Sequence, residues 1–179
     1  MSNLVKALLV LCIGVGLYKV LNRSPQSLRG PDEIKVVRLN GDQPVKDVFN
    51  PRLKPYLALY HGASWCPPCQ AFSPTLAEFY RQTDHSKFQL VMINYDRSVG
   101  EMIGYMREHK MEFPAVQRGD AGTWAKSTGS GIPNLMIVDT ATGKILDSSF
   151  DGSDYKGPQE PLDRLKDLII TSGINVSPE

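Results

Sequence analysis

Apolar and polar positions alternate along several stretches of the chain in the way that strands require. Residues 34–39 alternate apolar and charged side chains, which predicts a first strand, and a short helix is expected at 45–49. A mostly apolar run predicts a second strand at 56–62, and a cluster of Phe, Leu, Val, Met and Ile predicts a third at 88–94. Both runs have the length of buried strands in one sheet.

Helical spacing of apolar residues appears after the second and third strands. A helix is predicted from residue 70 to about residue 83, with Pro74 inside it as a kink, and a second helix over 99–109. Another short helix is expected at 123–127. Helices that alternate with strands in this way are typical of an α/β domain.

The last part of the domain is predicted to be a hairpin and a closing helix. Residues 135–139 form an apolar strand, 140–143 a tight turn and 144–149 a returning antiparallel strand. Residues 161–172 place their leucines on one face, as an amphipathic helix does. The resulting order predicts a central mixed sheet with helices on both of its faces.

The first residues have a different composition from the rest of the chain. An uncharged apolar run at 7–18 extends to 18 residues at 4–21, with Lys6 and Lys19 near its ends, which is just long enough to span a bilayer. We predict an N-terminal hydrophobic helix that serves as an uncleaved membrane anchor, with a cleaved signal segment as the alternative. The predicted divisions are the anchor 1–23, a linker 24–33, the α/β domain 34–172 and a C-terminal tail 173–179.

Charge limits the partners and bears on the orientation in the membrane. The 179 residues carry a net charge of +1, which argues against nucleic acid as a partner. Lys19, Arg23 and Arg29 follow the apolar run, so the positive-inside rule alone would leave the domain in the cytoplasm.

The chemistry of the chain is concentrated in Trp65-Cys66-Pro67-Pro68-Cys69, between a predicted strand and a predicted helix. The free N–H groups and the dipole at a helix N-terminus favour a thiolate over a thiol, so Cys66, at the exposed end of the turn, is the expected nucleophile. Cys69, one turn further on, is the expected resolving cysteine. Trp65 is expected to shield the site and to offer an apolar contact to substrate.

Other uses of two neighbouring cysteines fit this sequence poorly. A zinc or iron–sulfur site needs about four ligands, and the only other cysteine is Cys12, inside the apolar run. Haem attachment requires a histidine directly after the second cysteine, where Gln70 stands. A structural disulfide over so short a loop would stabilise little. We therefore expect a redox-active disulfide with no metal and no organic cofactor.

Longer motifs around the cysteines resemble those of the thioredoxin fold. They are the Trp-Cys-Pro-Pro-Cys motif, Pro74 five residues after its second cysteine, and Ile132-Pro133 before the hairpin. The segments 63–69, 72–80 and 96–98 resemble the tryparedoxin/nucleoredoxin-like branch of the thioredoxin-like superfamily. The resemblance covers about residues 34–172.

The resemblance implies a cis peptide bond before Pro133, lying beside the two sulfur atoms. The backbone of Ile132 would then pair with an extended segment of substrate, as one strand pairs with another. The substrate-binding residues implied in this way are Trp65, Pro67, Pro68, Ile132 and Pro133.

The residue that accepts the proton during exchange is not assigned by the sequence. Thioredoxin carries a buried carboxylate six residues before its first cysteine, and Tyr60 stands there in this chain. His61 titrates near neutrality, but strand alternation turns it to the opposite face. Asp96, after the next strand, is expected to be a loop or capping residue rather than a base.

The sequence thus predicts a thiol–disulfide oxidoreductase that contributes to cell redox homeostasis. The resemblance implies protein disulfides as substrates, an upstream dithiol as electron donor, and reductase as the direction. Family habit favours an extracytoplasmic, periplasmic domain, against the charge pattern; secretion after cleavage and a cytoplasmic-facing domain are the alternatives. Two other functions stay open: a dedicated extracytoplasmic reductase for cytochrome c maturation, and a non-catalytic binding module.

Overall fold

A seven-stranded mixed sheet forms the centre of the computed structural model, which describes residues 27–171. Its strands are β1 (Ile34–Asn40), β2 (Gln43–Phe49), β3 (Tyr56–Gly62), β4 (Phe88–Asn94), β5 (Ala115–Gln117), β6 (Asn134–Asp139) and β7 (Ile145–Ser148). They lie side by side in the order β2-β1-β5-β4-β3-β6-β7. Strand β3 pairs in parallel with β4 and antiparallel with β6, so the strand that leads to the cysteines lies inside the sheet.

Three α-helices and one small hairpin complete the described part of the chain. The helices are α1 (Pro67–Gln82), α2 (Val99–Glu108) and α3 (Gln159–Thr171), and the hairpin consists of β8 (Phe150–Asp151) and β9 (Asp154–Tyr155). The helix expected at 123–127 is a 3-10 turn, Gly122–Ala125. The predicted strands at 34–39, 56–62, 88–94 and 135–139 are confirmed within one residue at each end.

The helix predicted at 45–49 is wrong, because this segment is strand β2. It pairs antiparallel with β1 from Asn40↔Gln43 to Ile34↔Phe49. The two turn residues are Gly41 and Asp42, and Gly41 has a φ of 57°, the left-handed conformation that favours glycine at the first position of a two-residue hairpin turn. Two β-branched valines in β2 agree with a strand and not with a helix.

The three α-helices all lie on one face of the sheet, whereas the sequence predicted helices on both faces. The buried apolar residues of α1 and α2, and Leu162 and Leu165 of α3, belong to one core, together with Ala58 and Tyr60 of β3. The chain moves from β3 to β4 and then to β5 in one direction across the sheet. Since such crossovers are right-handed, both connecting helices must lie on the same face.

The other face of the sheet is covered by loops and by the short 3-10 helix Gly122–Ala125. Leu57 and Leu59 of β3 point into this second core, where Leu28 and the ring of Trp124 are buried. Trp124 Nε1 donates a hydrogen bond to Pro31 O at 2.8 Å, and a Cβ at Gly30 would lie 2.4 Å from that ring. The described part of the predicted linker, 27–33, is therefore packed against the domain rather than extended as a free tether.

The predicted anchor 1–23 and the predicted tail 173–179 lie outside the described residues, as does the predicted N-terminal hydrophobic helix. Within residues 27–171, none of the helices has the length and apolar character needed to cross a membrane.

Candidate active site

Cys66 and Cys69 form a disulfide at the N-terminus of α1, with Cα atoms 5.2 Å apart. Cys66 is the N-cap residue, in an extended conformation, and Pro67 and Pro68 are the first two residues of the helix. Prolines fit these positions because the first N–H groups of a helix have no partner within it. Cys69 N donates to Cys66 Sγ at 3.3 Å, so a single amide of this turn reaches the sulfur.

The disulfide is less exposed to solvent than the sequence predicted. Cys66, expected at the exposed end of the turn, is only 4% exposed, and Cys69 is fully buried. Pro67 and Pro68 are exposed beside it, and the Trp65 side chain is 60% exposed. A partner must therefore reach Cys66 Sγ along the surface that these three residues form.

The Ile132–Pro133 peptide bond is cis, the conformation that the resemblance implied. The carbonyl oxygen of Ile132 lies 3.6 Å from Cys66 Sγ, so the backbone of this loop borders the disulfide. Asn134 holds the loop in place: its Nδ2 donates to Ser127 Oγ at 2.7 Å, and Ser148 Oγ donates to its Oδ1 at 3.3 Å.

Asp96 fixes the loop that precedes the cysteines. Its Oδ1 accepts hydrogen bonds from Ser64 N at 2.9 Å and Ser64 Oγ at 2.8 Å, and its Oδ2 accepts one from Asn94 Nδ2 at 2.7 Å. Gln70 Nε2, from α1, donates to Ser64 O. Asp96 is thus a loop residue, as expected, but the positioning of Ser64 by its carboxylate was not predicted. The sequence feature that could have indicated this role is the position of Asp96 just after β4, which is the parallel neighbour of β3.

Trp65 leans toward the β4 side of the disulfide. Its Nε1 donates to Tyr95 O at 3.4 Å, which fixes the indole beside the loop after β4. A cavity of about 640 Å³ opens next to it, lined by Ser64, Trp65, Tyr95, Arg97 and Glu101.

Three buried hydroxyl groups lie beneath Cys69. Tyr60 OH donates to Cys69 O at 3.3 Å and lies 2.9 Å from Ser73 Oγ, which is 2.6 Å from Tyr105 OH. Because the one hydrogen of Tyr60 goes to the carbonyl, Ser73 donates to Tyr60, and Tyr105 donates to Ser73. Burial, followed by the proximity of Tyr105, raises the pKa of Tyr60, so its hydroxyl stays neutral and cannot replace a carboxylate base.

His61 lies on the other face of the sheet, as strand alternation predicts. It is paired with Ile93, which belongs to the second core, and its Nδ1 lies 3.1 Å from Tyr95 OH. Burial, followed by the charge of Arg118, lowers the pKa of His61 to about 4. A buried, neutral imidazole on the opposite face does not contact the disulfide.

The site as a whole is suited to sulfur exchange. A closed disulfide lies at a helix N-terminus, beside a carbonyl of the cis-proline loop and under exposed apolar side chains. Across residues 27–171, no three His, Cys, Asp or Glu side chains are grouped so that they could hold a metal ion.

Known proteins are similar to this chain in sequence and in fold. A family model described as thioredoxin-like matches residues 55–145. Tryparedoxin of Trypanosoma brucei brucei is 36% identical over 134 residues, which cover 73% of this chain and 84% of that protein. Nucleoredoxin of Xenopus laevis is 36% identical over 90 residues, 47% of this chain but only 21% of that protein. The structure of tryparedoxin II from Crithidia fasciculata superposes with a TM-score of 0.54 at 27% identity, over 66% of this chain and 82% of that one.

The fold and the disulfide define a thioredoxin-like oxidoreductase. The chain belongs to the thioredoxin-like family, and its relatives agree with the tryparedoxin/nucleoredoxin-like branch.

Proposed function

We propose that the protein reduces disulfides in other proteins, with Cys66 as the nucleophile and Cys69 as the resolving cysteine. The observation that carries this proposal is the Cys66–Cys69 disulfide at the N-terminus of α1, with Ile132 O 3.6 Å from Cys66 Sγ. Of these two cysteines, Cys66 has some exposed surface and Cys69 has none, so a partner can reach Cys66.

The reaction consists of two exchanges between sulfur atoms. In the reduced protein, the Cys66 thiolate attacks one sulfur of the substrate disulfide; a bond forms to Cys66 Sγ and the substrate S–S bond breaks, releasing one substrate thiolate. The thiolate of Cys69 then attacks Cys66 Sγ, which closes the Cys66–Cys69 disulfide and releases the second substrate thiolate. Two electrons pass to the substrate, and an upstream dithiol must return them for another cycle.

The proline pair supports the reductase direction. A strong oxidant of this fold owes its potential to a well-stabilised thiolate in the reduced state. Pro67 and Pro68 have no N–H group, so two of the first three helical residues cannot donate to Cys66 Sγ and only Cys69 N does. With fewer donors the thiolate is less stabilised, which shifts the potential toward reduction.

The identity of the partners and the location of the protein belong to the same proposal. Protein disulfides are the substrates, and a dithiol carrier is the electron donor. The apolar N-terminal segment holds the domain at a membrane, on the extracytoplasmic side.

The test is the reduction of insulin disulfides by the full chain with dithiothreitol as donor. We expect Cys66→Ser to abolish the catalysed rate. Cys12→Ser, which changes the only other cysteine, is the matched control and should keep it. Cys69→Ser should accumulate a mixed disulfide with the substrate, visible by mass spectrometry. Full activity of Cys66→Ser, or turnover of Cys69→Ser at the wild-type rate, would refute the assigned roles.

The reduction potential of the cysteine pair tests the direction separately. Equilibration with dithiothreitol or glutathione buffers, with thiols counted by mass, should give a value near that of thioredoxin, about −270 mV. A value near about −120 mV would make the protein a disulfide donor and would overturn the direction while leaving the exchange chemistry intact.

A further inference from the structure

The first described residues are fixed to the turn between β6 and β7. Ser27 forms an antiparallel bridge with Lys144, and its Oγ donates a hydrogen bond to Thr142 O at 3.2 Å. Leu28 N donates to Gly143 O at 2.6 Å. The chain therefore enters the domain at this turn, and the residues before Ser27 start from there.

This turn lies at the opposite end of the sheet from the disulfide. It follows Asp139, which pairs with Tyr56, the first residue of β3. The cysteine turn follows Gly62, the last residue of β3. Strand β3 contains seven residues, so six steps of about 3.3 Å separate its two ends by about 20 Å. A surface that contacts the β6–β7 turn is therefore separated from Cys66 by the whole length of this strand.

The loops that precede β3 and β4 lie beside the same turn. Thr140 Oγ1 donates a hydrogen bond to Lys54 O at 2.7 Å, and Tyr56 N donates to Lys87 O at 3.1 Å. These segments together form one surface, which we call the basic end of the domain. It consists of residues 27–29, 53–55, 84–87 and 139–144.

The basic end carries an excess of positive charge and a large exposed apolar side chain. Its basic residues are Arg29, Lys54, Lys87 and Lys144, and its acidic residues are Asp84 and Asp139. Leu53, directly before Lys54, is 66% exposed. Basic residues are attracted to anionic lipids, and an apolar side chain among them can enter the headgroup region. The chemistry of this surface therefore fits an anionic bilayer.

The length of the chain before Ser27 limits how the domain can be oriented. Five residues, 22–26, separate Ser27 from the apolar run 4–21 that the proposed function assigns to a membrane. Leu21 and Ser27 can be at most about 20 Å apart. Because the headgroup region takes up about 6 Å of this reach, about 14 Å remain above it. An inverted domain would need about 20 Å, the length of β3, to bring the disulfide to the bilayer surface.

We propose that the basic end lies on an anionic membrane surface and that the disulfide faces the aqueous phase on the far side of the domain. The partners of Cys66 are then soluble proteins, or protein domains that extend well clear of the bilayer, and not redox groups at the membrane surface. The inference rests on the proposed function, which assigns the apolar N-terminal segment to a membrane and disulfide exchange to Cys66.

The orientation is tested with a tryptophan placed at either end of the sheet. Full-length Leu53→Trp and Val48→Trp are reconstituted into vesicles of phosphatidylcholine and phosphatidylglycerol. Some of the lipids carry a nitroxide on the headgroup, which quenches indole fluorescence only at short range. We expect quenching of Leu53→Trp beyond that of the wild-type protein, and no additional quenching of Val48→Trp. Val48 is the matched control because it is 55% exposed and pairs with Lys35, near the end of the sheet that carries the disulfide.

The role of charge is tested in the Leu53→Trp protein. Lys144→Glu should weaken the quenching, because the attraction of the basic end to anionic lipids is electrostatic. Lys35→Glu changes an exposed lysine near the opposite end of the sheet and should leave the quenching as it was. Equal quenching in the two charge variants would show that charge does not hold this surface on the membrane.

The consequence for partners is tested with one peptide disulfide that is presented in two ways. The wild-type protein in the same vesicles, with dithiothreitol as donor, receives the peptide free in solution or linked to a lipid headgroup by a short spacer. We expect the short-spacer peptide to be reduced much more slowly than the free peptide. A spacer longer than about 20 Å should restore the rate, since it covers the length of β3.

Equal quenching of the two inserted tryptophans, or additional quenching of neither, would overturn the inference. Equal rates with the free and the short-spacer peptide would overturn it as well. Two other results would refute the proposed function, and the inference with it. One is a full-length protein that does not float with the vesicles in a density gradient, and the other is reduction of the free peptide no faster than by dithiothreitol alone.

Discussion

The burial of His61 predicts that the folded protein loses stability in mild acid. Its side chain is fully buried, and burial is the main reason that its pKa is lowered to about 4 in the folded state. In the unfolded chain the pKa returns to about 6.5. Below that pH the unfolded chain takes up a proton that the folded protein rejects, so stability is complete above about pH 6.5 and falls as the pH approaches 4.

The size of the effect follows from the two pKa values. Between pH 7.5 and pH 4.5 the free energy of unfolding should fall by about 2.5 kcal/mol from His61 alone. Four carboxylates also have lowered pKa values, but their pKa values in the unfolded chain lie near 3.8, so they affect the free energy of unfolding mainly below pH 4.5. They are Asp47, Asp84, Asp139 and Asp163. The interval from 4.5 to 7.5 therefore keeps the contribution of these carboxylates small.

Urea unfolding at the two pH values measures the loss, and His61→Phe should remove most of it. The variant will have a different stability at every pH, but the difference between the two pH values is the quantity compared. Tyr95→Phe deletes the hydroxyl beside Nδ1 and leaves the burial, so it should keep the loss. Equal losses in the wild-type protein and in His61→Phe would show that burial of this imidazole does not control acid stability.

Two further predictions concern the residues that support the active site. Tyr60→Phe removes the donor to Cys69 O and leaves Ser73 without its acceptor, so urea unfolding should show a loss of about 1–2 kcal/mol in the free energy of unfolding. The rate of the first attack by Cys66 should stay within about twofold, and a larger loss of rate than of stability would contradict a purely supporting role for Tyr60. Asp96→Asn places an amide NH₂ group against a donor, Ser64 N or Asn94 Nδ2, so the free energy of unfolding in urea should fall by about 1–3 kcal/mol and disulfide exchange should be slower. A stable, fully active variant would show that this carboxylate does not position the loop.

The sequence predicted those parts of the fold in which local pattern and tertiary environment agree. Strand β4 is mostly apolar and is buried except for Gln89, as part of a parallel pair, so its limits were predicted at both ends. The cysteine turn was also predictable, because two prolines and an N-cap position are local properties of the chain.

The errors arose where long-range pairing decides the structure. Strand β2 is almost entirely exposed, so it has no pattern of alternating burial, and its signals were the two valines and the Gly41-Asp42 turn. The face occupied by α2 depends on the position of β5, a strand of three residues that was not predicted. Asp96 reaches the loop before the cysteines only through the pairing of β4 with β3, which the spacing of residues along the chain does not reveal.

The two tryptophans of the chain lie in contrasting environments, which gives the protein two separate optical signals. Trp65 is exposed next to the disulfide, and because a disulfide quenches nearby indole fluorescence, its emission should rise when the Cys66–Cys69 bond is reduced. Trp124 is buried on the other face of the sheet, so its emission is blue-shifted and responds to unfolding instead. Emission at long and short wavelengths therefore follows reduction and unfolding independently, without an added label.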